Sequence, residues 1–464
     1  MQAPALKTVY RWHQWLGLGA GLFLILIGFS GAIAVFKEEI DWLATPALRV
    51  PVAPPASAAP DIDALVASVR TAHPAAKLEA LQLSSRAGYA HRVHLQEAGR
   101  GSLEVFLDPA SGAVRGERPL GPGYTSTLQN FIRQFHVRLL LGAWGRVFVG
   151  AFGVVLALSC VTGLWIYRGW LRNLFRLRWR GASARTRWSE VHKLVGVWSL
   201  VFNLLIGATG AVLGLENLAG NIRRHWLGQS PEPALPRATT PGPSLPAGEL
   251  AARARAAFPD LRVQALIFPS KPGQPFVVRG DTAARLVARN MNYVALDPAS
   301  GAVLAQADGR TARGWERLYL TFDPLHFGYF GGYWTKIPWF ILGLAPGVLS
   351  LSGFWLWWRR RSPARRVAPA AGGSRFAVRT ALAGIAIAAA GAWVLAARAL
   401  GDWSLSNRLL EHAFAKPIAL ALVACPVTAL LVWLTRRWHA QPALLLGIAA
   451  AWIGYYWLLV SLFQ

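Results

Sequence analysis

The stretch that decides the fold is RWHQWLGLGAGLFLILIGFSG, residues 11–31, in which an early histidine is followed by an apolar run. A second stretch, EVHKLVGVWSLVFNLLIGATG at residues 190–210, repeats the pattern. In both stretches, glycines follow the histidine (His13 or His192) at offsets of 4, 15 and 18. Such a run is long enough for a helix to cross a bilayer, which takes about 20 residues. Because a histidine in a spanning helix is costly and usually functional, the repeat indicates two functional histidines.

The repeat includes a second pair of histidines. His136 precedes a Gly-Leu-Trp sequence by 27 residues, and His326 precedes Gly-Phe-Trp by the same interval. Between the histidine segments of each half lies the heptapeptide DPASGAV, at 108–114 and again at 297–303. The chain therefore contains a duplicated helix–domain–helix unit with two histidines in each copy.

The composition indicates a polytopic membrane protein. Of the 464 residues, 54% are hydrophobic and 15% are charged. The formal net charge of +26 is concentrated in short loops, since residues 168–187 and 359–379 each hold seven arginines and no acidic residue. This is the positive-inside pattern, so we place both loops and the N-terminus in the cytoplasm and expect no nucleic-acid partner. The two cysteines, Cys160 and Cys425, exclude a disulfide framework, a zinc finger and a CxxCH haem-attachment site.

The expected fold class is a polytopic α-helical membrane protein in which the duplicated unit forms a four-helix core and three further helices follow, giving seven spans. The expected segments are an N-terminal tail and first transmembrane helix (1–48), an extracytoplasmic α+β domain (49–122), a second helix (123–168), an Arg-rich loop (169–188), a third helix (189–218), a second extracytoplasmic domain (219–311), a fourth helix (312–358), a second Arg-rich loop (359–376) and the C-terminal three helices (377–464). Within the domains, an amphipathic pattern predicts a helix beginning at Ile62. Alternation predicts strands near 90–95, 103–107, 262–268, 275–279 and 291–296. The repeated Asp-Pro-Ala-Ser-Gly is expected to form a turn.

This topology sorts the four histidines by membrane face. His13 and His192 begin helices that leave the cytoplasm and should lie near the inner face, whereas His136 and His326 begin helices that enter from outside. Each face then holds two imidazoles from different halves, the arrangement that binds a haem iron between two axial nitrogens. We expect two haems of the b type, because no covalent attachment site exists. A non-haem metal is the main rival, but no Asp, Glu or Cys accompanies the histidines at ligand spacing.

The repeated glycines lie on the same helical face as His13 and His192, so they are expected to support the inner site by letting a flat macrocycle approach. Gly163 and Gly353 project away from His136 and His326, so the outer pair lacks this support.

An aromatic and glycine-rich rim follows His326 and is a candidate for gating the outer site or holding a flat ligand. Three of its residues are candidate substrate contacts: Tyr329, Trp334 and Lys336. Cations that could pair with haem propionates or an anionic substrate are Arg133, Arg138 and Lys336. The remaining histidines are interpreted as ordinary polar residues: His73, His91, His94, His225, His412 and His439.

These motifs resemble the PepSY-associated transmembrane family. The resemblance is carried by RWHQWLGL (11–18), Phe135-His136 with Gly163-Leu164-Trp165, HKLVG (192–196), LHFGY (325–329) and two PepSY-like domains that close on Asp-Pro-Ala-Ser-Gly. It covers about residues 8–366, and the three C-terminal helices depart from it. The resemblance implies an inner-membrane, iron-regulated protein, since some members are ferric-siderophore reductases that carry b-type haem and some relatives are fused to flavin reductase domains. It also implies that the four haem ligands are His13, His192, His136 and His326.

The function expected from these observations is a haem-dependent ferric-chelate reductase of the bacterial inner membrane, surrounded by lipid. Electrons from a cytoplasmic flavoprotein or the quinol pool would pass through two b haems to a ferric siderophore in the periplasm, and reduction would release the iron. No catalytic residue is assigned beyond the haem ligands.

Two alternatives remain open. One is a membrane-anchored PepSY module that binds peptides or a protease, or acts as a sensor, without redox activity. The other is a permease for siderophore or iron.

Overall fold

The computed structural model describes residues 3–52, 60–121, 127–139, 142–176, 181–226 and 235–360. Its helices are α1 (Ala3–Val35), α2 (Lys37–Ala44), α3 (Ile62–Ala72), α4 (Leu128–Arg138), α5 (Gly142–Ile166), α6 (Ala184–Trp198), α7 (Leu200–Trp226), α8 (Ala247–Ala257), α9 (Gly314–Phe327), α10 (Tyr333–Gly343) and α11 (Ala345–Arg360). Its strands are β1 (Lys77–Gln82), β2 (His91–Glu97), β3 (Gly101–Leu107), β4 (Val114–Leu120), β5 (Arg262–Ile267), β6 (Phe276–Asp281), β7 (Asn292–Leu296) and β8 (Val303–Ala307).

The part of the chain described above has three helical stretches long and apolar enough to cross a membrane: Ala5–Val35, Gly145–Ile166 and Tyr333–Arg360. A fourth candidate is the pair α6 and α7, which passes the same test as one span although it bends by 63° at Ser199. The chain is therefore a membrane protein with transmembrane helices. The three C-terminal helices expected over 377–464 lie outside the described residues.

His136 and His326 lie on short helices that precede the apolar ones. The second predicted helix is divided into α4 and α5, because α4 ends at Arg138 and the next residue, Leu139, has a left-handed φ of 47°. Likewise α9 ends at Phe327 and is followed by Gly328, with φ of 69°, before the chain re-enters α-helix at Tyr333. His136 and His326 are thus positioned by α4 and α9, and not by the long apolar helices that follow.

The two halves share one antiparallel sheet. Its strand order is β4-β3-β2-β1-β5-β6-β7-β8, so each half contributes four strands and the halves meet where β1 pairs with β5. The predicted positions of β2, β3, β5, β6 and β7 are confirmed to within a few residues, as is the amphipathic helix α3. One face of the sheet packs on α3 and α8 through a single apolar core that includes Val69, Leu95, Leu250 and Leu296. What was expected as two separate domains is one continuous layer.

The repeated heptapeptides form matching turns. Asp108 Oδ1 accepts hydrogen bonds from the backbone N–H groups of Ala110 and Ser111, and Asp297 Oδ1 does the same in the second copy. Gly112 and Gly301 then adopt left-handed φ values of 71° and 69°, which glycine permits without strain. The prediction of turn chemistry is confirmed.

Helix α2 ties the sheet to the membrane helices. Asp41 on α2 is fully buried and accepts two hydrogen bonds from the Arg118 guanidinium of β4, at 2.8 and 3.0 Å. Arg92 of β2 adds a third charged contact at 3.3 Å. A buried carboxylate is stable only when it is paired in this way, so α2 fixes the position of the sheet over the bundle.

Candidate functional site

The structure brings the four histidines together as two pairs. The ring centroids of His13 and His192 lie 6.4 Å apart, with the rings nearly perpendicular at 85°. Those of His136 and His326 lie 6.3 Å apart, with an angle of 33° between the rings. Each pair joins one histidine from each half of the chain. We call them the His13 pair and the His136 pair.

The spacing suits two imidazoles that share one metal from opposite sides. A metal–imidazole bond is about 2.0 Å and the ring centre lies about 1 Å further on, so trans-axial rings have centroids roughly 6 Å apart. Direct ring stacking or a hydrogen bond between the rings would bring them closer. Among the residues that the structure describes, no group of three or more His, Cys, Asp or Glu side chains could hold a bare metal ion. The donor set at each site is two imidazoles, a set that can bind the iron of a haem.

A hydroxyl on a neighbouring helix orients each imidazole through its Nδ1 atom. The four contacts are His13 with Thr162 (3.1 Å), His192 with Ser352 (2.8 Å), His136 with Ser30 (3.3 Å) and His326 with Thr209 (2.9 Å). His136 Nδ1 also lies 3.1 Å from the carbonyl oxygen of Ile27.

These hydroxyls fix the tautomer of the histidines. Each one donates its single proton to a carbonyl of its own helix: Thr162 to Leu158, Ser352 to Val348, Thr209 to Leu205 and Ser30 to Ile27. A hydroxyl whose only proton is already in a hydrogen bond to a carbonyl can act towards Nδ1 only as an acceptor, so it accepts from Nδ1–H. The proton therefore sits on Nδ1, and the lone pair of Nε2 is left for a metal. A metal-bound histidine usually donates its other ring N–H to a hydrogen-bond acceptor in this way.

A glycine follows each of these hydroxyl residues and makes room for the imidazole. A Cβ added to Gly31 would lie 2.7 Å from Cε1 of His136, and one on Gly163, Gly210 or Gly353 would lie 3.1 to 3.4 Å from Cε1 of its own histidine. The sequence signal is a Ser-Gly or Thr-Gly dipeptide, at 30–31, 162–163, 209–210 and 352–353. The glycines stand out in the sequence through their repeated offsets, whereas the hydroxyls before them were not predicted.

The assignment of the glycines to the inner site was wrong in part. Gly31 and Gly210 contact the His136 pair, whereas Gly163 and Gly353 contact the His13 pair. The reason is length: 18 residues of helix span about 27 Å, so a glycine at offset 18 lies near the other face of the membrane. Gly17 and Gly196, only one turn from their histidines, do line the cavity of the His13 pair.

A cavity adjoins each pair. The cavity at the His13 pair has a volume of about 370 Å³, and the one at the His136 pair about 170 Å³. Leu24, Leu156 and Pro346 line both, so a thin apolar partition separates them. Cations line each cavity: Lys193 and Arg360 at the first, Arg133 and Arg146 at the second. Such cations can pair with the carboxylates of a porphyrin, so the residues present fit b-type haem.

Two of the three candidate substrate residues lie beside the His136 pair. Tyr329 and Lys336 line a cavity of about 370 Å³ that shares Arg133, Asp323 and Phe327 with the cavity of that pair. Both are engaged: the Tyr329 hydroxyl donates to Asp323, and Lys336 Nζ lies 2.6 Å from Glu39 Oε1. Trp334 points elsewhere, with 92% of its surface exposed. It is not among the residues that line this cavity.

The remaining cations and histidines have separate positions. Arg138 lies on α4, and its Nε is buried without a hydrogen-bond partner among the described residues. His73 contacts Glu97 and Glu117, His91 accepts a hydrogen bond from the backbone N–H of Ser84, and His94 contacts Glu104.

The fold and the site together define a membrane protein in which two half-repeats carry paired histidines below a shared sheet. The family model described as "PepSY-associated TM region" matches residues 10–360, so the chain belongs to the PepSY-associated transmembrane family, as its motifs predicted. The chain is also similar to "Uncharacterized protein PA4219" of Pseudomonas aeruginosa, with 30% identity over 261 residues. That alignment covers 51% of this chain and 64% of the relative.

Proposed function

We propose that this protein is a di-haem b oxidoreductase that reduces an extracytoplasmic ferric chelate, a ferric siderophore, and so releases its iron. The observation that carries the proposal is the geometry of the histidines. Two pairs have ring centroids 6.3 and 6.4 Å apart, and each ring has its Nδ1 hydrogen-bonded to a hydroxyl, which leaves the lone pair of Nε2 for a metal. A bound b-type haem supplies reversible one-electron transfer at its iron. The chain's own part would be to supply the four imidazoles as ligands, to keep their tautomer fixed and to surround each site with apolar helix.

The orientation we propose follows the arginines. The Arg-rich loops at 168–187 and 359–379 would lie in the cytoplasm of a bacterium, with the shared sheet in the periplasm and seven spans in the inner membrane. The four segments that begin at α1, α4, α6 and α9 would form the duplicated four-helix core. In this orientation the His13 pair lies near the inner face, where a quinol or a cytoplasmic flavoprotein would deliver electrons. The His136 pair lies near the outer face, beside the polar cavities under the sheet.

The proposed reaction is a one-electron reduction of the substrate. The ferric ion of the chelate gains one electron, the donor loses one, and no bond to the protein is made or broken. Hard oxygen ligands hold iron(III) more strongly than iron(II), so the reduced ion leaves an intact carrier. The role of the polypeptide at this step is to bring the chelate close to the His136 pair and to exclude water from the apolar partition between the pairs.

Haem quantification tests the proposal. The full chain, produced with adequate haem supply and purified in detergent, should contain two haems per chain by the pyridine haemochrome assay. His13→Ala and His326→Ala should each reduce the content to one, and the double variant should contain none. His73→Gln changes a histidine of the sheet and serves as the matched control, with two haems retained. A colourless wild type, or an unchanged haem count in both alanine variants, would refute the proposal and favour a peptide-binding anchor or a permease.

A further inference from the structure

The largest of the cavities described here lies between the sheet and α4. It has a volume of about 1050 Å³, at the upper end of the range for small-molecule sites. Its roof is the sheet face opposite α3 and α8, and its floor is the first two turns of α4, including Gln129, Asn130 and Arg133. Strands from both halves contribute to the roof.

Strand alternation makes this face polar. On β2, Val93 and Leu95 enter the core, so Arg92 and His94 point to the cavity. On β6, Val278 enters the core and Arg279 points to the cavity. A polar sheet face normally contacts open water, but here it encloses a space above the membrane helices.

The charge of the lining is strongly positive. Six basic residues face two glutamates, Glu79 and Glu104. The basic residues are Arg92, Arg118, Arg133, Arg237, Lys271 and Arg279. Asp41 lies outside the lining but pairs with Arg92 and Arg118, so it is counted as a third acidic residue. Six basic residues against three acidic ones leave an excess of three positive charges. A cleft lined by one sign of charge concentrates ligands of the opposite sign.

The excess is carried by cations without a carboxylate partner. Arg92 and Arg118 are held by Asp41 and Glu104. Within the described ranges, the other four basic residues of the lining make no ion pair: Arg133, Arg237, Lys271 and Arg279. The Nε atom of Arg279 is buried and has no hydrogen-bond partner in the same ranges. Buried donors without a partner are costly, which points to an anionic ligand that completes them.

Arg133 joins this cavity to the redox site. Its side chain lines the large cavity, the cavity of the His136 pair and the cavity that holds Tyr329. It lies one turn before His136 on α4. Arg146 also lines the cavity of the His136 pair, so the two guanidinium groups repel each other across it. An anion beside Arg133 would relieve that repulsion next to the His136 pair.

We propose that the cavity between the sheet and α4 binds a ferric chelate with net negative charge, of the carboxylate or catecholate class, and discriminates against cationic hydroxamate chelates. The proposal rests on the proposed function and specifies its substrate class. Arg237, Lys271 and Arg279 hold the anionic groups at the sheet, and Arg133 contacts the end of the chelate nearest the His136 pair.

Binding of redox-inert gallium(III) complexes tests this without electron transfer. The full haem-loaded chain in nanodiscs of zwitterionic lipid is titrated by calorimetry with gallium(III)–citrate, which is anionic, and with the gallium(III) complex of desferrioxamine B, which is cationic. We expect saturable binding of the citrate complex, weakened by added salt, and at least tenfold weaker binding of the cationic one. Arg279→Gln and the double variant Arg237→Gln/Lys271→Gln should each weaken citrate binding by about tenfold or more, because each loses charged hydrogen bonds. Arg70→Gln removes an exposed arginine from α3, on the other side of the sheet, and should leave binding within about twofold.

Several results would overturn the proposal. Equal binding of both complexes would do so, as would unchanged binding in both cavity variants. Two variants are used so that the test remains valid if one of them misfolds. Displacement of the citrate complex by equimolar phosphate, or by exchange of part of the lipid for phosphatidylglycerol, would make the cavity a general phosphate or headgroup site. Haem content is measured on the same samples. A normal haem content without binding of gallium(III)–citrate would contradict this inference alone. Binding of gallium(III)–citrate by a wild type that contains no haem would contradict the proposed function alone.

Discussion

Gly31 and His136 are in direct contact, although 105 positions separate them in the chain, and the imidazole occupies the space where any other residue at position 31 would place its Cβ. Gly31→Ala would put a carbon 2.7 Å from Cε1 of His136, so the ring must move. We expect loss of one of the two proposed haems in the purified protein, seen as a change in the Soret band and in haemochrome content.

The matched control is Gly19→Ala on the same helix, where an added Cβ meets nothing within 4 Å. That variant should keep both haems and gain up to about 1 kcal/mol in stability, because alanine is the better helix former. Two haems in Gly31→Ala would show that the contact does not position His136.

Removal of a hydroxyl partner should weaken haem binding at its site without abolishing it. Ser352→Ala removes the acceptor for His192 Nδ1, and loss of such a partner typically weakens metal-site affinity about 10- to 100-fold. We expect faster haem loss to an apo-globin acceptor from the His13 pair only. Ser352→Thr keeps the hydroxyl and should restore retention, while equal loss in both variants would indicate a packing effect.

Asp41 should be essential for the position of the sheet. Asp41→Asn leaves Arg118 and Arg92 paired with Glu104 but without the second carboxylate that they share, and breaking a buried ion pair costs about 3–5 kcal/mol. We expect a clear fall in the unfolding temperature of the sheet. Asp260→Asn is the control. The Asp260 side chain pairs with Arg310 but is 66% exposed, so its replacement should change the free energy of unfolding by less than about 1 kcal/mol.

Acid should destabilise the sheet through Glu104. Burial raises the pKa of Glu104, but the hydrogen bond with His94 and the charges of Arg118 and Arg92 outweigh it and lower the pKa from 4.5 to about 2. A depressed folded pKa means that the stabilisation is complete above about pH 4.5 and is lost as the pH falls towards 2. The unfolding temperature of the wild type should fall across that window, and Glu104→Gln should show a flatter profile. Parallel profiles for the two proteins would remove Glu104 as the cause.

Orientation can be measured by cysteine labelling. With Cys160 and Cys425 replaced, Ser111→Cys in the first heptapeptide turn and Ala184→Cys at the start of α6 are both exposed positions. A membrane-impermeant maleimide should label Ser111→Cys in intact spheroplasts and Ala184→Cys only after lysis. The reverse pattern would place the sheet in the cytoplasm and invert the proposed electron route.

Much of this arrangement could be predicted from the sequence because duplication provides an internal comparison. The registers of His13 with His192, and of His136 with His326, point to equivalent positions in two copies, and the structure places each pair within reach of one metal. Periodicity was sufficient for most strands, since each has a buried face that alternation reveals.

What escaped prediction depends on contacts between distant segments. The break at Leu139 falls in the apolar sequence Leu-Leu-Leu, and a leucine with positive φ has no local signal. The contact of His136 with Ser30 depends on which helices pack together. The polar face of β2 and β6 is the wall of a cavity only because α4 lies below the sheet, and strand alternation carries no information on that packing.

The seam between β1 and β5 has a consequence for the origin of the molecule. The two strands are antiparallel, pairing Ala80 with Ile267 and Gln82 with Ala265, and the strand order is symmetric on either side of them. An antiparallel seam between equivalent strands coincides with a twofold axis, and both histidine pairs also join equivalent residues of the two copies. A half-length ancestor would therefore satisfy the requirement for an isologous homodimer, with its edge strand covered by the same strand of its partner and each histidine pair formed between the two subunits.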